Sequence, residues 1–227
     1  MWAAFLLILW TFAPPAAAED DTAVWNAQFV TVNLHPDATR GVSLWLDAHQ
    51  RHTANGFVGI VRPAVGYDLS KGLAVWAGYG WIPTVPTDGT LHHEHRIYEQ
   101  VTGSGKVAPL LLSGRARLEQ RFVQDGDRVG LRLRLLGRAG LPIGEQGYGV
   151  FVSDELFLAL NATSFATTGF DQNRLMIGPY LQTEKKIRFE FGYLQVALRK
   201  AGDTRIFHGT ILSVTLPLKV KRASEPG

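Results

Sequence analysis

Two neighbouring stretches of this chain alternate with a period of two, and one alternating face is crowded with arginine. In the first, Ser113, Arg115, Arg117, Glu119 and Arg121 share one face, and Gly114, Ala116, Leu118, Gln120 and Phe122 share the other. The next repeats the pattern, with Arg128, Gly130, Arg132 and Arg134 opposing Val129, Leu131, Leu133 and Leu135. Farther on, Arg188, Glu190 and Gly192 oppose Ile187, Phe189, Phe191 and Tyr193, and Leu212, Val214, Leu216 and Leu218 share a face. A period of two is the mark of β-strands. An antiparallel sheet with one face in bulk water also alternates, but lysine, serine and threonine are expected there. Isolated exposed ion pairs contribute little, so arginines and carboxylates gathered on adjacent strands suggest an enclosed, mutually paired network. A membrane barrel provides that setting, with apolar side chains toward lipid and polar ones filling or lining the lumen. Closure of the sheet also satisfies every backbone polar group.

Eleven segments read as strands: 24–34, 41–51, 57–67, 73–82, 96–101, 110–122, 128–136, 148–160, 174–181, 187–198 and 205–218. Most reach the ~9–11 residues that a tilted barrel strand needs; the fifth is short and is expected to begin near His92. Turn residues separate them, among them Thr53-Ala54-Asn55-Gly56, Gly103-Ser104-Gly105 and Asp125-Gly126-Asp127, and the proline-rich Ile82-Pro83-Thr84-Val85-Pro86 reads as a loop. Single-chain bacterial barrels have even strand numbers, so the expected fold is an all-β, antiparallel up-and-down transmembrane barrel of about twelve strands, with ten as the alternative. Pro63, Pro179 and Pro217 fall inside strands and are expected at bulges or strand ends, because proline removes a ladder donor. Tyr79 and Trp81 lie near a strand end, where an interfacial aromatic girdle would sit.

The first eighteen residues, MWAAFLLILWTFAPPAAA, join an apolar run to an A-x-A site followed by Glu19-Asp20-Asp21. This reads as a secretory leader, although no lysine or arginine precedes the apolar run; the run is too short to span ~30 Å of hydrocarbon as a helix. The expected organisation is a signal peptide at 1–18, a barrel domain at 19–218 and a tail at 219–227. No later stretch is long and apolar enough for a membrane helix. The chain has no cysteine, which excludes disulfides, thiolate metal sites and cysteine nucleophiles. A net charge of +3 without a long basic run gives no sign of a nucleic-acid partner. Many outer-membrane barrels end on an aromatic residue read by the assembly machinery. This chain does not, so either the internal run at 212–218 serves as that signal or the barrel is not in a membrane.

Leu118-Glu119-Gln120-Arg121, Arg132-Leu133-Arg134, Asp154-Glu155-Leu156-Phe157, Phe170-Asp171-Gln172-Asn173-Arg174 and Gly192-Tyr193 occur in that order, with Gly78-Tyr79 and Glu94-His95-Arg96 before them. Together they resemble a bacterial domain-of-unknown-function family held to form outer-membrane-type β-barrels. The resemblance covers most of the chain after the leader. It implies an exported Gram-negative barrel in the outer membrane, with membrane lipid around it and the barrel assembly machinery as a partner during biogenesis. It implies no activity, ligand or cofactor.

The candidate functional feature is a lumen network of Arg115, Arg117, Glu119, Arg121, Arg132, Arg134, Glu155, Arg174, Arg188 and Glu190. Such a face can pass or bind small anions, with Arg115, Arg117, Arg132 and Arg134 setting the sign of selectivity. It can also pair with Glu119, Glu155 and Glu190 and plug the barrel, which the narrowness of a ten- to twelve-stranded barrel beside ~16-stranded porins favours. In Asp171-Gln172-Asn173-Arg174 the aspartate and asparagine read as turn chemistry, with Arg174 joining the network through Glu155. His92-His93-Glu94-His95 alternates faces and lacks the ligands and second shell of a metal site. Lipid hydrolysis needs a serine within reach of an oriented histidine. Ser213 and His208 fall on opposite faces, Ser113 and Ser153 face the lumen, and no G-x-S-x-G occurs. No phosphate loop or dinucleotide fingerprint appears, so no cofactor is expected. A structural or narrow-channel barrel without catalytic residues is the leading expectation. A lipid-modifying barrel enzyme and a soluble periplasmic barrel holding an apolar ligand follow it.

Overall fold

A computed structural model describes residues 22–35, 39–200 and 203–220. The expected leader at 1–18 and most of the tail lie outside the described residues. Eleven strands follow one another: β1 (Thr22–Asn33), β2 (Gly41–Thr53), β3 (Gly56–Ser70), β4 (Leu73–Pro86), β5 (His92–Val107), β6 (Leu110–Val123), β7 (Gly130–Ile143), β8 (Tyr148–Ala159), β9 (Gly169–Gln182), β10 (Arg188–Lys200) and β11 (Asp203–Lys219). Among the described residues there is no helix. Each strand pairs antiparallel with its neighbour in sequence, and the sheet closes into a barrel.

The closure corrects the expected count of twelve or ten. β1 and β11 run parallel, with Thr22 opposite His208 and Asn33 opposite Lys219. The even-number rule presumes an antiparallel seam; a parallel seam closes an odd number. β1 and β11 therefore start at the same rim, here called the proximal rim, and both finish at the distal one. The connections at 87–91 and 160–168 both lie on the proximal rim.

Several expected boundaries move. β5 does begin at His92, but it runs through Gly103-Ser104-Gly105 to Val107, and Ile82–Pro86 belongs to β4. Arg128 lies before β7, exposed and paired with Asp127 at 2.8 Å. Pro63 and Pro179 sit on the outer side within β3 and β9, whereas the register shifts fall at Asp68/Ser70 and Phe157/Leu158. The turn between β3 and β4 is Lys71-Gly72; Gly72 has φ of +84°, and a Cβ there would stand 2.3 Å from the Ser104 carbonyl oxygen.

The two faces are set by alternation. Outside lie Val65, Ile97, Leu118, Leu131, Leu135, Val150, Ile177, Phe189, Phe191 and Leu212, all exposed. Tyr79 and Trp81 also point outward, beside His95 and His93, but because β4 runs on to Pro86 Tyr79 lies at mid-strand and only Trp81 lies toward the proximal rim. Trp25, Trp45, Trp76, Tyr98 and Tyr180 point inward instead. Inward glycines make room for some of these rings: a Cβ on Gly66, Gly78 or Gly149 would stand within 2.3 Å of Trp76, Tyr98 or Tyr180. Two apolar clusters sit inside the barrel. One is Ala23, Trp25, Leu194, Val196 and Ile211 on β1, β10 and β11; the other is Ala64, Ala74, Trp76 and Tyr98 on β3 to β5. Charged side chains fill the interior between them.

Candidate functional site

The interior charges are placed by register. Glu119 on β6 is opposite Arg132 on β7, and Arg117 is opposite Arg134, so four long polar side chains enter the lumen from two adjacent strands. Glu119 is fully buried and accepts from Arg132 Nη2 at 2.6 Å and from Arg134 Nη1 at 2.6 Å. Arg117 Nη1 and Arg96 Nη1 approach it at 3.6 and 3.7 Å. Glu155 on β8 accepts from Arg134 Nη2 at 2.8 Å and Arg115 Nη2 at 2.6 Å. Arg134 thus bridges two carboxylates. Charge-assisted bonds of this length are the stronger class of hydrogen bond.

Three further knots flank this centre. Glu94 accepts from both Arg96 (2.7 Å) and Arg121 (2.6 Å). Glu190 takes Arg188, Arg138 and the Ser213 hydroxyl. Asp47 on β2 takes Arg62 at 2.9 Å, with His49 Nε2 at 2.6 Å. Aromatic faces support the guanidinium groups: Arg117 lies 4.1 Å from the Tyr98 ring centre, Arg134 4.5 Å from Phe157 and Arg188 3.6 Å from Tyr180. Arginine suits this role because its planar head stacks while its edge still donates.

All ten residues expected in the lumen face it, but one pairing differs. Arg174 and Glu155 are opposite one another in the ladder, yet no ion pair joins them among the described residues. Arg115 and Arg134 already hold Glu155. Arg174 instead donates to Gln172 at 3.0 Å and lies against Phe157 (4.3 Å) and Trp25 (4.9 Å). Reading the sequence missed Asp47, Arg51, Arg62, Glu94, Arg96, Arg138 and Asp171. Glu94 and Arg96 were visible as inward positions of the β5 alternation. Asp47 and Arg51 were visible only as alternate members of a strand with few charges.

His93 and His95 stack outside against Trp81 and Tyr79. Ser213 donates to Glu190, while His208 lies outside with Tyr193. Among the described residues no serine hydroxyl bonds a histidine, and no group of three histidine, aspartate or glutamate side chains is placed to hold a metal. At the proximal rim the 160–168 connection leans over β6 and β7. Ser164 N donates to Asp127 Oδ1 at 2.7 Å, Asn161 Nδ2 to the Val129 carbonyl at 2.9 Å, and Phe165 covers Gly130 and Arg121.

A family model described as a protein of unknown function (DUF2490) matches residues 22–206. An uncharacterized protein of Methylorubrum extorquens is 35% identical over 162 residues, which is 69% of this chain and 70% of the relative. No solved structure matches. The match runs from β1 into β11 and takes in every ion pair described above, and on it the chain belongs to the DUF2490 family of proteins of unknown function.

Proposed function

We propose that this chain is an exported outer-membrane barrel with a plugged interior, acting as a structural element of that membrane and not as an open pore. The observation that carries the reading is the inversion of the two faces. Leucine, valine, isoleucine and phenylalanine are exposed on most strands around the outside, while guanidinium and carboxylate groups are buried within. An apolar surface of that extent is unfavourable in water and matches a lipid surround. The outward Tyr148 stands at the distal rim, where an aromatic girdle lies, and the outward Trp81 stands toward the proximal one. Two carboxylates interrupt the band, and each is capped by a carboxamide: Gln120 Nε2 donates to Glu99 at 3.0 Å and Asn173 Nδ2 to Asp154 at 2.7 Å. Acidic groups on a lipid face cost less than basic ones.

Plugging follows from burial. Arg117, Glu119, Arg134, Tyr98 and Phe157 are each less than 2% exposed. Side chains that closed to water cannot border a conducting passage. Detergent extraction and heat-modifiable gel migration test the membrane reading. Leu133→Arg, on the outer face, should impair assembly by about 2–4 kcal/mol at mid-bilayer depth. Extraction without detergent, or normal assembly of that variant, overturns it. In planar bilayers the purified protein should show no conductance above the lipid baseline; steady single-channel steps would replace the plug with a pore.

A further inference from the structure

Arg51 and Arg174 differ from the other interior arginines in making no ion pair with a carboxylate among the described residues. Both are about nine-tenths buried, and both have an Nε with no hydrogen-bond partner. Arg51 makes no ion pair or hydrogen bond among the described residues, and Arg174 makes only its bond to the neutral Gln172. Their guanidinium groups lie against the same indole, 3.9 and 4.9 Å from Trp25. The nearby carboxylates are already engaged: Asp47 by Arg62 and His49, Glu155 by Arg115 and Arg134.

Two buried cations beside one another and without a counter-charge are costly. Stacking on an aromatic face offsets part of that cost while leaving the N–H edges free to donate. We infer that Arg51 and Arg174, held on Trp25, form an oxyanion site inside the proximal mouth of the barrel, suited to a phosphate group. Two guanidinium groups on one indole, neither with a carboxylate partner, can share the oxygens of a phosphate, which supplies the missing negative charge. The phosphate comes either as a free anion or as the headgroup of a lipid. The site lies within the lumen and does not rest on what surrounds the barrel.

The test uses the full chain in a maltoside detergent, which carries no phosphate of its own. Calorimetric titration with inorganic phosphate, and separately with dihexanoylphosphatidic acid below its micelle concentration, should show one saturable site. Arg51→Gln and Arg174→Gln should each weaken binding at least ~10-fold. Arg128→Gln, in an exposed loop, should leave it unchanged. Comparable affinity for the two probes assigns the site to the free anion, and ~10-fold tighter binding of the phosphatidate, about 1.4 kcal/mol, assigns it to a headgroup. If a glutamine variant does not fold, Arg51→Lys and Arg174→Lys keep the charge but lose the planar fork, and each should still weaken phosphate binding. No saturable binding of either probe overturns the inference, as does wild-type affinity in a folded Arg51→Gln/Arg174→Gln double variant.

Discussion

The two sides of the barrel interior use the same residue type in opposite ways. On β5 to β8, every inward arginine has a carboxylate oxygen beside it, Arg117 at 3.6 Å with its hydrogen bond going to Gln100, and Glu119 and Glu155 are each shared between arginines. Toward β1, β2 and β9, Arg51 and Arg174 face an indole and a carboxamide instead. One side is closed by carboxylates, with Arg117 its loosest member. The other is open to a further charge. Arginine on an inward strand face therefore does not by itself say whether a lumen is sealed or receptive; the placement of carboxylates across the ladder does.

Removing one carboxylate from the closed side should have the largest effect. Glu119→Gln leaves Arg132 and Arg134 crowded in a dry interior, with Arg96 and Arg117 close behind. Breaking a buried pair from one side costs about 3–5 kcal/mol, read as a lower denaturant midpoint for the folded gel form in detergent. A change below about 1 kcal/mol would mean the knot is hydrated and the closed side is not closed. Glu155→Gln is the milder version. Arg134 keeps Glu119, and only Arg115 loses its sole carboxylate, so about 1.5–3 kcal/mol is expected for the lost charged hydrogen bonds. The order of the two variants tests whether Glu119 is the centre of the network.

That centre was legible in the sequence because period two puts Arg115, Arg117, Glu119, Arg132 and Arg134 on one face whatever the strand count. Other features were not legible, for physical reasons. The odd count depends on a parallel seam between chain ends nearly two hundred residues apart, and no local pattern encodes it. Gly103 was read as a turn signal, yet it lies opposite Gly114, and Gly114 opposite Gly137, in one outward row of the sheet. A Cβ on Gly103 or Gly137 would meet nothing within 4 Å. Glycine marks a turn only where its φ is needed, and here it is not. Arg174 shows the limit at finer scale. Ladder adjacency to Glu155 was a sound expectation, but Arg115 and Arg134 take Oε1 of that carboxylate, and the Arg174 head lies against Phe157 and Trp25.

The open side predicts the opposite sign. Arg51→Met removes a buried charge that has no carboxylate partner and keeps most of the apolar volume. Stability should rise by about 1 kcal/mol or stay level, since relief of desolvation offsets the lost stacking on Trp25. The measurement is the same denaturant midpoint, taken without phosphate. A loss as large as that of Glu119→Gln would show that Arg51 has a partner within the folded chain, and the contrast between the two sides would fail.

The smallest effect concerns the rim above the closed side. Ser164 N–H donates to Asp127 and, with Arg128 adjacent, holds its carboxyl below the usual aspartate range. A carboxyl whose folded pKa is depressed stabilises the folded form above its unfolded value, near 4. That contribution is lost as pH falls through the lower folded value. The connection at 160–168 should therefore stay fastened to the β6–β7 loop at neutral pH and loosen in strong acid. Asp127→Asn should remove the acid-dependent part of this change while leaving the global midpoint where it was, because the aspartate lies in an exposed rim loop. Amide exchange at Ser164 reads it directly: faster in the variant than in the wild type at neutral pH, with the two rates converging as the wild-type carboxyl protonates. Equal protection at neutral pH would mean that Phe165, seated over Gly130 and Arg121, holds the connection down without the carboxylate, and that the closed side is roofed by packing and not by charge.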